Sequence, residues 1–447
     1  MIKVSVIMPS LNVVDYIDEC LQSVVKQSLK EIEIICIDAG STDGTYEKIK
    51  EYSNKDSRIS LVLSEVKSYG TQVNIGIKLA RGKYVAIVET DDFIDENMLE
   101  DLYDKAEQYK LEFIKGDYES VVRGEDGKYQ KCVTRMFPNS LEHLYHIVLS
   151  PRETPFLHIM GLNIWRGIYN RKFLINNEIY LNETKGAAFQ DTAFYHQIVF
   201  QSERAMFVMK PYYKYRLDRP ESSFRNSNTL IYTYDEYKYL LINKQLESFD
   251  ISKGHLHFIY VKMFKEFLKH LKQYMWSNHY TIESFESINY IIEWFAVKLN
   301  KAVEDNLITN YDFSETEWNE LNYVSDSSSM FMDLCRKMDA IKSDKKNKFW
   351  ESILNKKVII FGTGVYGRRA YKVLTDRAVH VVCLCDNNDM ITQFEDKRVF
   401  KPEYCVEKYT DVYYVIANKY HADDMMIQLE GLGVAPAMIV KYNIDYV

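Results

Sequence analysis

The sequence predicts an α/β protein in three parts, and three observations carry that reading. Short apolar runs alternate with helical spacing through the first hundred residues. The middle of the chain keeps helical spacing. A strand, a glycine-rich turn and a helix reappear in the last hundred residues. Alternation of the first and third kind implies mostly parallel sheets with helices on both faces. At 447 residues the chain is too long for one ordinary domain, and the expected units are 1–225, 226–345 and 346–447.

Ile2 to Met8 is the first strand, and Pro9-Ser10-Leu11-Asn12 turns the chain. Within Asp15 to Gln27, residues Ile17, Leu21, Val24 and Val25 stand at helical spacing. Ile32 to Ile37 is a second apolar strand, and Ser41-Thr42-Asp43-Gly44-Thr45 turns into a helix over Tyr46 to Tyr52. Ile59 to Leu63 is a third strand, and Thr71 to Ala80 a helix ended by Arg81-Gly82. Tyr84 to Val88 is apolar and mostly β-forming, so it reads as a strand covered on both faces.

That fourth strand runs into Glu89-Thr90-Asp91-Asp92. Carboxylates crowded on one strand end repel one another unless a cation sits between them. Mg2+ and similar ions take one or two carboxylates and complete their shell with water and substrate phosphates. The cluster therefore reads either as a metal and diphosphate site or as a solvated acidic turn. In open α/β sheets ligands bind beyond the carboxyl ends of the strands. Asp38 ends the second strand and Asp91 the fourth, so both point at one crevice.

The residues that carry a family resemblance are Val4-Ser5-Val6-Ile7-Met8-Pro9-Ser10-Leu11-Asn12, then Ile37-Asp38-Ala39-Gly40-Ser41-Thr42-Asp43-Gly44-Thr45. They continue with Asn74-x-Gly76, Ala80-Arg81-Gly82-Lys83-Tyr84-Val85 and Thr90-Asp91-Asp92. Four motifs in this order resemble the family 2 glycosyltransferases, inverting enzymes of GT-A fold that use nucleotide sugars. The likeness covers residues 1–225. It implies a GT-A type nucleotide-sugar-binding domain, a UDP-linked sugar donor, Mg2+ or Mn2+, and a glycan or lipid-linked acceptor in bacterial surface polysaccharide synthesis.

The resemblance also implies roles. Asp38 contacts the nucleoside, most often uridine. Pro9 and Asn12 shape the loop over the nucleotide, and Asn74 belongs to the same binding motifs. Asp91 and Asp92 match the metal and ribose-diphosphate motif, with Asp92 as direct ligand and Glu89 a neighbour only. Ala188-Phe189-Gln190-Asp191-Thr192-Ala193-Phe194-Tyr195 resembles the segment whose aspartate is the general base, which assigns Asp191; a plain helix N-cap is the other reading of that residue. Ile164-Trp165-Arg166-Gly167 resembles the tryptophan-and-basic element near the acceptor, where Trp165 stacks on a sugar or packs in the core. Arg216 and Arg219 meet the diphosphate or are solvated loop charges.

Three positions depart from the family pattern. Asp38-Ala39-Gly40 stands for Asp-Asp-Gly, Val73 for a basic residue before Asn74, and Gln190 for a Glu before the base. The last removes a like charge beside Asp191, which lowers its pKa relative to a Glu-Asp pair.

Net charge is −8, which argues against a general nucleic-acid binder. Seven cysteines occur singly apart from Cys383-x-Cys385, without zinc-ligand spacing. The chain opens into a core strand with no signal peptide, and no apolar run has the length of a spanning helix. A reduced, cytoplasmic setting is expected. In the middle, Phe258 to Trp276 and Glu283 to Val303 read as helices, with Ser325 to Ser329 and Lys342 to Lys348 as linkers. Lys262, Lys265, Lys269 and Lys272 share one face, which suits either peripheral contact with anionic lipid or a solvated face over a bundle.

Lys357 to Phe361 is a strand that runs into Gly362-Thr363-Gly364-Val365-Tyr366-Gly367 and a helix through Leu374; the strand Val379 to Cys385 then ends in Asp386. In that context glycines let the backbone approach a pyrophosphate and the acid meets a ribose hydroxyl. Gly362, Gly364, Gly367 and Asp386 thus form a second nucleotide-like site. The stretch resembles the small Rossmann-like domains attached to bacterial surface-polysaccharide enzymes. Two other functions are consistent with it: an NAD-linked oxidoreductase, which leaves the first 220 or so residues without a task, and a non-catalytic nucleotide-sugar sensor.

Overall fold

In the computed structural model the chain divides into two units, Met1–Phe331 and Met332–Val447. The structure describes residues 1–123, 128–161, 163–217, 228–244, 246, 253–279, 281–326, 328–388, 391–418 and 422–442. Arg219, expected at a diphosphate, lies outside the described residues.

The first unit opens with β1 (Val4–Ser10), α1 (Ile17–Val25), β2 (Ile32–Asp38), α2 (Thr45–Lys55), β3 (Ile59–Leu63), α3 (Tyr69–Leu79) and β4 (Tyr84–Ile87). It continues with β5 (Phe93–Ile94), α4 (Met98–Tyr109), β6 (Phe113–Arg123), β7 (Tyr129–Thr134), β8 (Gly167–Asn170), α5 (Arg171–Asn176), α6 (Gln190–Gln201) and β9 (Ala205–Arg216). The sheet order is β3-β2-β1-β4-β8-β6-β9-β5, with β7 paired to β6. The first four strands are parallel; β8 then runs antiparallel to β4.

Period-two alternation divides each strand between two cores. Val4, Val6, Met8, Ile34, Cys36, Tyr84 and Ala86 face one; Ile7, Ile35, Ile37, Val85 and Ile87 face the other. This is why the strands read as unbroken apolar runs. Pro9 falls inside β1 rather than in a turn. It lies past Ile7↔Ile87, the last pair with β4, where its missing N–H interrupts no ladder on that side. The register Ser10↔Asp38 brings the ends of β1 and β2 side by side, and Val88 N donates to Ile7 O at 3.0 Å, so β4 ends beside them.

A helical segment follows: α7 (Thr229–Lys238), α8 (Lys253–Ser277), α9 (Ile282–Ser287), α10 (Asn289–Glu304) and α11 (Glu315–Asp326). Phe267 stacks on Phe295 with centroids 4.0 Å apart, tying α8 to α10. The single helix expected over Glu283 to Val303 is two, joined at Ile288, whose backbone is not helical (φ −111°, ψ 7°). The lysine face of α8 is not left bare. Lys262 pairs with Glu266 at 3.2 Å, and Lys272 reaches the buried Glu320 of α11 at 2.8 Å. Lys265 lies over the Phe313 ring.

Both expected linkers prove helical. Residues 328–353 form α12 (Ser328–Ile353), and Lys348 pairs with Asp344 one turn back. A charge-rich stretch suits an exposed helix surface as well as a loop. The second unit continues with β10 (Lys357–Phe361), α13 (Val365–Asp376), β11 (His380–Cys385), β12 (Gln393–Phe394), β13 (Lys397–Phe400), α14 (Pro402–Lys408), β14 (Tyr413–Ile416), α15 (Ala422–Gly431) and β15 (Ile439–Lys441). Its order is β12-β13-β11-β10-β14-β15, parallel except for β12, with the earliest strand central and apolar cores on both faces. Among the described residues, no helix is long and apolar enough to cross a membrane.

Candidate active site

Beyond β4 the chain makes a tight turn, in which Asp92 N donates to Glu89 O at 3.0 Å. The turn gathers ligand-type oxygens of Glu89, Asp91 and Asp92 within 4.8 Å of one another. Thr90 Oγ1 donates to Pro9 O at 2.7 Å, fixing the turn to the end of β1. Asp92 is buried; its Oδ1 accepts from Arg216 N at 2.8 Å, while Oδ2 lies enclosed with no hydrogen-bond partner of normal geometry. Burial pushes the Asp92 carboxyl well above the usual range, and the charges of Asp91 and Glu89 push it further; Arg216 N–H and the Tyr213 hydroxyl oppose them. An orphaned buried carboxylate oxygen beside two more acids fits a divalent cation. Glu89, expected to be only a neighbour, belongs to the cluster. The turn that makes it so is a three-dimensional fact that sequence order does not display.

The loops after β1 and β2 are knitted into one surface. Asn12, at φ 52°, accepts from Thr42 N through Oδ1 at 2.9 Å, and its own N–H donates to Ser41 Oγ at 2.9 Å. Asp43 Oδ2 accepts from Val14 N, and Thr45 Oγ1 from Val13 N. Asp38 is fully buried. Its Oδ1 accepts from Gly40 N and Ser41 N, each at 2.9 Å, and its Oδ2 from Ser41 Oγ at 2.6 Å. Asp38 therefore organises the loop with both oxygens, which leaves it fewer lone pairs for a nucleoside than expected.

Asp191 sits in the first turn of α6. The preceding Phe189 holds φ 65°, a left-handed conformation that non-glycine residues adopt rarely and that aims this turn. Gln190 anchors it by donating to Thr184 Oγ1 at 3.1 Å and Gly186 O at 3.3 Å. Gly186 O accepts from Tyr69 N at 2.9 Å, joining the base segment to the start of α3. Gly70 is required there, since a Cβ would meet Asn182 O at 1.9 Å. Tyr69 then donates its hydroxyl to Glu89 Oε1 at 3.1 Å. Burial, then the charges of Glu89 and Asp191, raise the Tyr69 hydroxyl, so one phenol lies within electrostatic reach of both acids.

Burial lifts the Asp191 carboxyl to about 6, and Glu266 adds to that, against Lys115 and Lys262. Lys115 is buried on β6 with Nζ 4.4 Å from the Tyr195 ring centroid and no hydrogen-bond partner. Burial and Arg166 hold its amine well below the usual lysine range, while Asp191 pulls it up. Tyr69, Lys115, Glu236 and Glu266 were not foreseen as site residues. Lys115 alone left a sequence signal, a lysine inside an otherwise apolar strand start, Phe113-Ile114-Lys115.

Other expected site residues have different employment. Asn74 is buried in α3. Its Nδ2 donates to Leu181 O and Glu183 Oε1, and its Oδ1 accepts from Leu181 N, so it clamps the segment leading to Asp191 instead of facing a nucleotide. Trp165 is core: it stacks on Tyr213 at 4.2 Å and on Tyr215 at 5.4 Å and presents no open face to a sugar. Arg216 is turned into the protein. Nε donates to Asp91 O at 2.7 Å and Nη2 to Glu19 Oε2 at 2.6 Å, while Nη1 donates to the Tyr129 hydroxyl. It braces the acidic turn from behind instead of offering a fork to phosphate.

In the second unit, Gly362 (φ 108°) and Gly364 lead from β10 into α13, and Gly367 is required because a Cβ would meet Gly362 O at 2.1 Å. Asp386 follows β11, where Oδ2 accepts from Thr363 N at 2.8 Å and Thr363 Oγ1 at 2.6 Å, and Oδ1 from Asn388 N. The acid expected to hold a ribose pins the glycine turn.

Residues 5–156 match the family model described as Glycosyl transferase family 2, and residues 354–440 match a second, C2185-like, N-terminal. Glycosyltransferase GlyA of Streptococcus pneumoniae serotype 4 is 29% identical over 225 residues, which is 48% of this chain and 30% of that protein. The uncharacterized glycosyltransferase EpsJ of Bacillus subtilis is 30% identical over 223 residues, 49% of this chain and 62% of its own length. The chain thus spans less than two thirds of either relative. A solved structure of S. aureus TarS residues 1–349 in complex with UDP-GlcNAc superposes with a TM-score of 0.55 at 20% identity, over 75% of this chain and 90% of that one. The first unit has the GT-A fold.

Proposed function

We propose that this chain, whose N-terminal unit belongs to glycosyltransferase family 2, transfers a sugar with inversion from a UDP-linked donor to a glycan or lipid-linked acceptor. The observation that carries this reading is the orphaned, buried Oδ2 of Asp92 among three carboxylates, at the same strand ends as the loop organised by Asp38. The S. aureus TarS structure with UDP-GlcNAc supports the choice of donor class.

Asp92, with Asp91 and Glu89, would hold a Mg2+ or Mn2+ ion. When bound, such an ion neutralises charge on the diphosphate leaving group. The loops 9–14 and 38–45, braced by Asp38, Asn12 and the Pro9 carbonyl, form the floor for the nucleotide. Asp191, ionised above about pH 6, takes the acceptor proton as the acceptor oxygen attacks the anomeric carbon. A pKa near working pH suits a base, because it combines an ionised form with real proton affinity.

The test is direct. The purified protein is incubated with a panel of UDP-sugars and Mn2+, and UDP release is followed with and without candidate acceptors. Turnover with one or more UDP-sugars that Asp191→Asn abolishes supports the reading. An active Asp191→Asn protein would remove Asp191 as base, and a panel without binding or turnover would remove the donor assignment.

A further inference from the structure

We propose that Glu236, delivered by α7 from outside the sheet, is a positioning residue that supplies Asp191 with the acidic neighbour that Gln190 does not provide. The inference rests on the reading of Asp191 as general base.

The physical reason begins at position 190. The Gln190 amide donates to Thr184 Oγ1 and to the carbonyl of Gly186. Glutamate is acceptor-only when ionised and could not make the bond to a carbonyl. Position 190 is therefore used as a donor that anchors the base loop, and an acid cannot stand there without loosening it.

Glu236 occupies the other side of the same helix start. It is 1% exposed, and its Oε2 accepts from Ala193 N at 3.3 Å, in the first turn of α6 that also carries Asp191. Helix N-termini attract negative charge and leave their first N–H groups without intrahelical partners. Glu236 Oε1 is buried and has no hydrogen-bond partner. A glutamine would satisfy the Ala193 N–H equally well, so the packing itself does not call for an acid. Burial raises the Glu236 carboxyl well above its usual range, and Asp191 raises it further. The two acids share one helix terminus and titrate as a pair.

Every element around Asp191 contributes a group. Lys115 comes from β6, Tyr69 from α3, and Glu266 and Lys262 from α8. Glu266 is already compensated, since the Tyr237 hydroxyl donates to it at 2.8 Å and Lys262 pairs with it at 3.2 Å. Among the described residues no cation is recorded against Glu236. Its charge therefore acts on Asp191 with little compensation, strengthening the base. In the transfer step the acceptor oxygen bonds to the anomeric carbon, the bond to the diphosphate oxygen breaks, and the acceptor proton moves to Asp191. Glu236 exchanges no atoms.

The experiment is the pH profile of kcat/KM for UDP-sugar turnover in the full chain, with wild type, Glu236→Gln, Glu236→Asp and Asp191→Asn. Removing a like charge lowers the pKa of Asp191. The acidic limb of Glu236→Gln is expected to move down by about one pH unit, with a lower plateau. Glu236→Asp, which keeps the charge, should hold its limb close to wild type. A limb unmoved in Glu236→Gln overturns the proposal, as does an equal displacement in both variants. Should Glu236→Gln fail to fold, the chain with Gln190→Glu tests the same rule in reverse: an added acidic neighbour must raise the limb, and an unmoved limb overturns the proposal. Activity surviving in Asp191→Asn instead sinks the base reading itself, so the two failures are distinct.

Discussion

Tyr69 donates its hydroxyl to Glu89 Oε1 across 3.1 Å, and the charge of Asp191 acts on the same hydroxyl. The phenol stands at the start of α3, where Ser68 caps the helix by accepting from Thr71 N and where Gly186 O accepts from Tyr69 N. One side chain thus ties the acidic turn after β4 to the loop that carries the base. A hydrogen bond to a charged group contributes about 1.5–3 kcal/mol. Tyr69→Phe is expected to fold normally and to lower kcat/KM for UDP-sugar turnover roughly ten- to hundredfold. Full activity in Tyr69→Phe would show that the acidic turn holds its shape without the link.

The acidic turn itself predicts a metal response. A ligand that binds only the native state raises its stability with concentration, by about 2.7 kcal/mol at a hundred times Kd. Wild type should melt at a higher temperature in Mn2+ and saturate. Asp92→Asn should lose that response together with turnover. Because it also removes a buried, unpaired oxygen charge, its melting temperature without metal should equal or exceed that of wild type. An Mn2+ response of wild-type size in Asp92→Asn would exclude Asp92 as a ligand.

Asp191 predicts two opposite pH effects. Its pKa is raised from the model-peptide value of 3.8 to about 6, so the base is ionised above about 6, and kcat/KM should fall as pH drops through that value. Asp191→Asn should lower turnover by about 10²–10⁴ at neutral pH. Stability runs the other way. A carboxyl with a raised folded pKa favours folding fully below the unfolded pKa and loses that contribution as pH rises through the folded one. Asp191→Asn should therefore be more stable than wild type at pH 8 in urea titrations, with the difference vanishing below about pH 4. A less stable variant at pH 8 would point to the helix-capping reading of this residue.

Asn74 distinguishes a clamp from a ligand contact. Its side chain makes three buried or part-buried hydrogen bonds to residues 181 and 183. Asn74→Ala leaves Leu181 N–H and O without these partners, at a cost of about 2–4 kcal/mol measured by urea unfolding. The KM for the UDP-sugar, corrected for the folded fraction, should stay near wild type. A raised KM without loss of stability would return Asn74 to the nucleotide.

Much of this site was legible before any coordinates. The strands announced themselves because both faces are buried, so Val4 to Met8, Ile32 to Ile37 and Tyr84 to Ile87 carry no polar alternation beyond Ser5 and Glu33. The acidic turn at Glu89-Thr90-Asp91-Asp92 and the loop after Asp38 follow from strand-end position alone, because parallel strands place their carboxyl ends together. Asp191 was legible only through its likeness to a family segment.

What tertiary structure alone decided is the partner of each polar group. Asn74, Arg216 and Asp386 look in sequence like free ligand contacts, yet each is bonded to protein, because donors and acceptors find partners across 23 to 197 positions of chain. Trp165 joined a stack of tyrosines for the same reason. The electrostatics of Asp191 come from β6, α3, α7 and α8, and no spacing rule links Lys115, Tyr69, Glu236 and Glu266 to it. Local sequence determines periodicity and turn chemistry through forces that act over a few residues. Burial and charge pairing depend on distance in space, and only the folded chain sets that.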